Sequence, residues 1–150
     1  GYQYEAAEAS FVLLVEKLLG RYRSSFDLIN YKVINELPAI EGKVASAIVK
    51  IRVNGVTKIS ASDGEGPVHA MDLALRAALA DFYPEIAKMS LTDFKVRVLD
   101  SDKATAAKVR VLITSADSTD SWTTVGVSED VIEASWFALV DSIDYALMRR

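Results

Sequence analysis

The chain has 150 residues, 51% hydrophobic and 25% charged, with 17 Lys and Arg against 21 Asp and Glu and a net charge of −4. This is an ordinary globular composition, and its acidity argues against nucleic acid as a partner, since phosphates require clustered Lys and Arg. No cysteine is present, which excludes a disulfide framework and a thiolate zinc site.

The opening GYQYEAAEAS lacks the basic segment and apolar run of a signal peptide. No apolar stretch approaches the ~18–20 residues that cross a bilayer, so the expectation is a cytoplasmic chain with no membrane partner. Tyr4 to Tyr22 read as a helix, with Ala6, Ala9, Leu13 and, a turn apart, Leu14 and Leu18 at helical spacing. FDLINYKVIN is rich in β-branched and aromatic residues and predicts a strand, and LPAIEGK predicts a loop. ASAIVKIRV alternates, with Ala47, Val49, Ile51 and Val53 on one face and Lys50 and Arg52 on the other. Asn54-Gly55, where both positions favour positive φ, predicts a hairpin into VTKISAS. Pro67 suits the first turn of a helix that runs to about Phe82 and stops at Pro84.

The pattern then recurs. LTDFKVRVL predicts a strand, AAKVRVLI a second, ADSTDS a turn, WTTVGV a third strand, and SEDVIEASWFALVDSIDYAL a helix capped by Ser128. Tyr31-Lys32-Val33 recurs as Phe94-Lys95-Val96. Ala47/Val49/Ile51/Val53 recurs as Ala107/Val109/Val111/Ile113, and Val68/Ala70/Leu75/Leu79 as Ile132/Ala134/Leu139/Ile143. The spacing between the copies is nearly constant over all three elements, which marks an internal repeat. The expected fold is α+β: two pseudo-symmetric βββα units, 24–84 and 90–150, preceded by an N-terminal linker helix over 1–23. A three-stranded sheet with one helix buries little, so two such acidic units point to a dimer.

Catalytic chemistry is sparse. His69, the only histidine, falls in a first helical turn beside Val68 and reads as a surface or packing residue. No paired-histidine or Cys motif suggests a transition metal, and Asp93, Asp100 and Asp102 lack the spacing of a calcium loop. No catalytic residue, metal or cofactor is expected. Gly64-Glu65-Gly66-Pro67 is different. Glycine lets a ligand approach the backbone, and the helix behind it presents unpaired N–H groups and partial positive charge, suited to a small carboxylate. The alternative is a strand-to-helix connection with no ligand. The counterpart in the second unit is the more acidic Gly126-Val127-Ser128-Glu129-Asp130.

GYQYEAAEASF, GEGPVHAMDLAL, DFKVRVL and, above all, WTTVGVSEDVIEASWFALVDSIDYAL resemble the C-terminal part of citramalate synthases, relatives of isopropylmalate synthase. The resemblance covers nearly the whole chain. It implies the regulatory domain of those enzymes, two βββα units that dimerise with a second copy, and a parent acyltransferase that condenses acetyl-CoA with a 2-oxo acid on a metal-bearing barrel absent from this sequence. It further implies feedback inhibition by isoleucine, or by leucine in the isopropylmalate branch, with the effector between the two units near the dimer interface. Carried onto this chain, the effector contacts are Gly64, Glu65, Gly66 and Pro67 at the glycine turn, Phe94 and Val98 for the aliphatic side chain, and Val127 and Ser128 at the other lip. Two other readings compete: a dimerisation-only module, and a double-stranded-RNA-binding module suggested by helix–strand–strand–strand–helix order but opposed by the acidity and the absence of Lys in GEGPVHAMDLAL.

Overall fold

A strand with one oily face must have that face covered. The computed structural model describes residues 7–40, 42–99 and 107–149, with only the backbone of 36–40 and 43. Helix α1 (Glu8–Leu18) comes first. Strands β1 (Asp27–Ile40), β2 (Lys43–Val53) and β3 (Val56–Gly64) follow, then helix α2 (Pro67–Ala80). The strands form an antiparallel sheet with β2 in the middle. Ala45, Ala47, Val49 and Ile51 are fully buried. Helix α2 packs across β2 and β3 and buries Val68, Met71, Leu75 and Leu79. Each such large apolar side chain contributes about 1.5–3 kcal/mol.

The hairpin forms where the sequence places it. Asn54 and Gly55 have φ of 49° and 80°, and Val53 pairs with Val56. LPAIEGK departs from its expected loop: β1 runs on to Ile40, which pairs with Lys43 after an irregularity beyond Asn35. Pro38 is tolerated there because β1 is an edge strand, where a missing N–H need not break a ladder bond. After α2, Pro84 opens a short 3-10 turn, Pro84–Lys88, that buries Ile86. The Tyr83 hydroxyl donates to the Ser25 carbonyl at 2.7 Å.

The second unit repeats the plan with β4 (Ser90–Leu99), β5 (Lys108–Ala116), β6 (Ser121–Ser128) and helix α3 (Val131–Met148), again with the middle strand second. The fold is therefore α+β, built of two three-stranded sheets with a helix each, as expected. The ladders correct one alignment. Tyr31 pairs with Val49 and Phe94 with Ile113, so Val49 corresponds to Ile113 and not to Val109. The sequence alone cannot distinguish these, because a slip by an even number of positions leaves a period-2 pattern unchanged. The corrected alignment also matches the helix starts, Gly66 to Asp130.

Helix α3 packs on β6 and β5 at close range. A Cβ on Gly126 would sit 1.9 Å from the Ala134 carbonyl oxygen. The Thr124 hydroxyl donates to the Ala138 carbonyl at 2.7 Å, and Trp122 Nε1 donates to the Ser142 carbonyl at 3.1 Å. Ser115 and Ser142 hydroxyls bond each other at 2.6 Å. These pairs satisfy polar groups inside an otherwise apolar layer.

Contacts divide the described chain into two compact units, 24–88 and 1–23 with 89–150. The N-terminal helix ends at Leu18, short of the expected Tyr22, while Tyr4, Glu5 and Ala6 lie outside the described residues; it belongs with the unit distant from it in sequence. It packs on α3 and β6 through buried Ala9, Ser10 and Leu13. The Ser10 hydroxyl donates to Asp141 at 2.8 Å, and Tyr22 donates to Asp144. Burial raises the Asp141 carboxyl above the ordinary carboxylate value, and neighbouring Asp144 adds to the rise against opposing contributions from Ser10 and Lys17.

Two expectations follow. Gly126→Ala forces a methyl into backbone and should cost at least about 2 kcal/mol, read as a fall in the denaturation midpoint. A carboxyl group with a raised value in the fold supports folding below its unfolded value and loses that support as pH rises through its folded value. Asp141→Asn removes this titration yet keeps an oxygen for Ser10. Its melting temperature relative to the parent should therefore rise between about pH 4 and pH 7, and a constant difference across that range would contradict the assignment.

Candidate functional site

The two helix starts differ in a way the strand pattern does not reveal. With Val49 matched to Ile113, Gly64-Glu65-Gly66-Pro67 corresponds to Ser128-Glu129-Asp130-Val131. In the second unit the protein supplies its own cap. Asp130 is the N-cap, and its carboxylate accepts from the Ile132 N–H at 2.9 Å. The Ser128 hydroxyl donates to Glu133 at 2.6 Å and accepts from the Asp130 N–H at 3.2 Å. Ser128, expected as the cap, thus stands two positions ahead of it, because β6 extends through Ser128.

In the first unit the equivalent position is Gly66. It has no side-chain cap, and the first turn of α2 holds no acidic residue. The partial positive charge of this helix end is therefore uncompensated by a local carboxylate, unlike that of α3. Pro67 at the first helical position has no N–H to satisfy. One donor in the turn is occupied: the Glu65 N–H donates to His69 Nδ1 at 3.2 Å. This gives the chain's only histidine a local structural role.

The two glycines of the turn do different work. A Cβ on Gly64 would lie 2.4 Å from the Ala70 nitrogen, so Gly64 is required by its own helix. A Cβ on Gly66 meets nothing within 4 Å, and its φ of −165° is ordinary extended backbone. Neither packing nor conformation explains glycine at position 66, and Glu65 beside it is exposed.

In the second unit, Phe94 and Val98 lie on β4 and present one face, with Val96 between them; they are 46%, 60% and 45% exposed. These residues are on the side of the sheet covered by α3, since Phe94 pairs with Ile113 and Val96 with Val111, both buried. Because α3 lies over β6 and β5, the β4 edge keeps its apolar side chains open. Val98 shares a row and a face with Ser128 through Val109, whereas Val127 shares a row with Arg110 and Arg97 on the opposite face. The structure thus groups Phe94, Val98 and Ser128 on one face and turns Val127 away. Nothing in the sequence singles out Arg110. It is 8% exposed, and its Nε has no hydrogen-bond partner among the described residues; its place in an alternating strand of Lys and Arg carries no signal of burial.

Among the described residues no group of three or more His, Cys, Asp or Glu side chains could hold a metal ion. Asp93 is on exposed β4, and Asp100 and Asp102 lie outside the described residues. Among the described residues no helix is long and apolar enough to cross a membrane.

Comparison with known proteins bears on this arrangement. Residues 5–147 match the LeuA allosteric (dimerisation) domain. The chain is 46% identical over 148 residues to an (R)-citramalate synthase of Geobacter sulfurreducens, covering 98% of this chain and 28% of that protein. It is 48% identical over 155 residues to an (R)-citramalate synthase of Aquifex aeolicus, 99% and 28% of the two chains. Against an (R)-citramalate synthase of Sulfolobus acidocaldarius the identity is 44% over 147 residues, 98% and 26%. The chain spans little more than a quarter of the length of these relatives. A match over nearly every residue, joined to the paired βββα units, places the chain in the LeuA allosteric (dimerisation) domain family.

Proposed function

We propose that this chain is the effector-binding region of an acetyl-CoA-dependent citramalate synthase, and that it mediates feedback inhibition by a branched-chain amino acid, isoleucine. The parent acyltransferase activity lies in the part of the protein outside this segment, in keeping with relatives of which it is about a quarter. The reading further holds that the chain works as a homodimer in the cytoplasm. The match to a dimerisation domain and the exposed Phe94, Val96 and Val98 support the dimer.

One observation carries the reading: where the second unit's helix is capped by the carboxylate of Asp130, the first unit has Gly66 and open space. The carboxylate of a free amino acid supplies what the side chain does not, an anion at a helix N-terminus. Glu65 and Pro67 flank that position, and Gly64 sets the strand-to-helix approach. Phe94 and Val98 are proposed contacts for the aliphatic side chain, whose burial is worth about 25 cal/mol per Å²; Val127 and Ser128 remain proposed contacts on the basis of the resemblance. Isoleucine is preferred to leucine because the relatives are citramalate synthases, not because of pocket shape, since moving one methyl is worth only ~1–3 kcal/mol.

A thermal-shift screen with isoleucine, leucine, valine and threonine tests this. A ligand at a hundred times its Kd stabilises the fold by ~2.7 kcal/mol, and isoleucine should give the largest shift. Absence of a shift with all four favours the dimerisation-only module. Gly66→Asp, which places a carboxylate as Asp130 does, should leave the unliganded protein as stable as the parent, within about 0.5 kcal/mol, and abolish the response. Gly66→Val should also fold and also lose it. An undiminished isoleucine shift in both variants removes the glycine turn from the site.

A further inference from the structure

Strands β4, β5 and β6 carry four cations, Lys95, Arg97, Lys108 and Arg110, and one carboxylate, Asp93. All five side chains leave the sheet on the face opposite α3, alternating with Val111 and Ile113, which are buried beneath that helix. In a chain of net charge −4 this face is locally positive. Arg97 and Arg110 pair directly across β4 and β5, with Cβ atoms about 5 Å apart, and like charges so placed destabilise a sheet. Val127 completes their row. Arg97 is exposed, whereas Arg110 is 8% exposed. No carboxylate among the described residues pairs with any of the four cations, and Arg110 Nε is buried there without a hydrogen-bond partner.

The first unit shows a row that satisfies itself. With Val49 matched to Ile113, its counterparts of Arg97, Arg110 and Val127 are Ile34, Ser46 and Asp63, which also share one row. There the Ser46 hydroxyl donates to the Asp63 carboxylate at 2.6 Å. The second unit has two guanidinium groups in that row and no acidic side chain. A charge held out of water without a partner is costly. An anion laid across the row removes both that cost and the repulsion between the arginines. On the same face, Asp93, Lys95, Leu112, Thr114 and Thr123 line an open cavity of about 140 Å³. The hydroxyls of Thr114 and Thr123 bond each other at 3.1 Å, so its floor is polar as well as charged.

We propose that this face of the second unit binds a diphosphate group. Arg97 and Arg110 grip the phosphates, Lys95 and Lys108 flank them, and the cavity receives whatever the diphosphate is attached to. The planar guanidinium fork meets phosphate oxygens two at a time, which an ammonium group cannot do. The extent of the patch selects the class of ligand. The rows of Lys95 and Lys108 lie one on each side of the arginine row, a span of about 13 Å at ~3.3 Å per residue. That length suits a diphosphate with a small carrier, whereas nucleic acid held through about 6–10 phosphates needs a longer basic stripe. Phe94, Val98 and Ser128 occupy the opposite face of the same sheet, so the site does not rest on the effector reading above.

The experiment titrates the full-length protein with inorganic pyrophosphate and with ADP by calorimetry at fixed ionic strength. It reads the binding that each variant loses, so that any other phosphate site in the full-length protein cancels. Arg97→Gln, at an exposed position, and Arg110→Met, which keeps the length of the buried side chain, should each weaken both ligands at least about tenfold, the loss of one charge-assisted contact. Arg97→Gln decides the matter alone if Arg110→Met does not fold. The control Lys50→Gln/Arg52→Gln removes two cations from the first sheet. It should bind within about twofold of the parent, since screened charges that touch no phosphate contribute little. Equal weakening in the control reduces the effect to net charge and overturns the site. ADP binding more tightly than pyrophosphate, with both weakened by the arginine substitutions, assigns the diphosphate of a nucleotide; equal affinities assign the inorganic ion. A parent protein that binds neither ligand at millimolar concentration, or binding untouched by both arginine substitutions, overturns the proposal. So does binding of a poly-glutamate peptide in place of either ligand, which assigns the face to an acidic protein segment.

Discussion

The constraint on which the structure turns is the close approach of a helix to a three-stranded sheet. In the second unit it is set by Gly126 under Ala134, and in the first by Gly64 under Ala70. Neither site has room for a Cβ, so each helix sits low enough to seal the middle strand completely; Val49 and Ile51 in one unit and Val111 and Ile113 in the other are fully buried. Low seating also limits how far a single helix can reach. In the second unit α3 covers β6 and β5 and leaves β4 with Phe94, Val96 and Val98 open. The apolar surface that calls for a partner is thus a direct consequence of the packing that stabilises the unit.

The same seating fixes the start of each helix at one place relative to its sheet, which makes the two starts comparable residue by residue. Against that shared frame the chemistry diverges. One end is neutralised by Asp130 and braced by Ser128 and Glu133; the other has glycine and proline where those groups would be. The two helix starts of a duplicated fold thus differ in the chemistry of their N-caps.

Helix α1 adds the remaining element. Its place on the second unit is held by apolar burial and by two hydroxyl-to-carboxylate bonds, Ser10 to Asp141 and Tyr22 to Asp144. The carboxylates are one turn apart on α3, and bringing them close to each other and away from water costs stability, visible in the raised Asp141.

Much of this was legible in the residues themselves. Alternation in ASAIVKIRV and AAKVRVLI specified two middle strands with a buried face, Asn54-Gly55 specified a hairpin, and Pro67 and Pro84 bracketed a helix, because each depends on local backbone preference or on a period shared by neighbours in sequence. The GEGP turn was recognisable as a candidate site for the same local reason. Tertiary structure alone decided the rest. It set the register of the repeat, since alternation is blind to even slips; it separated Gly64, required by packing, from Gly66, which is not. It also turned Val127 away from Val98, buried Arg110, and carried α1 past the whole intervening unit to rest on α3. These outcomes depend on which surfaces meet across the chain, and no pattern confined to neighbours along it contains that information.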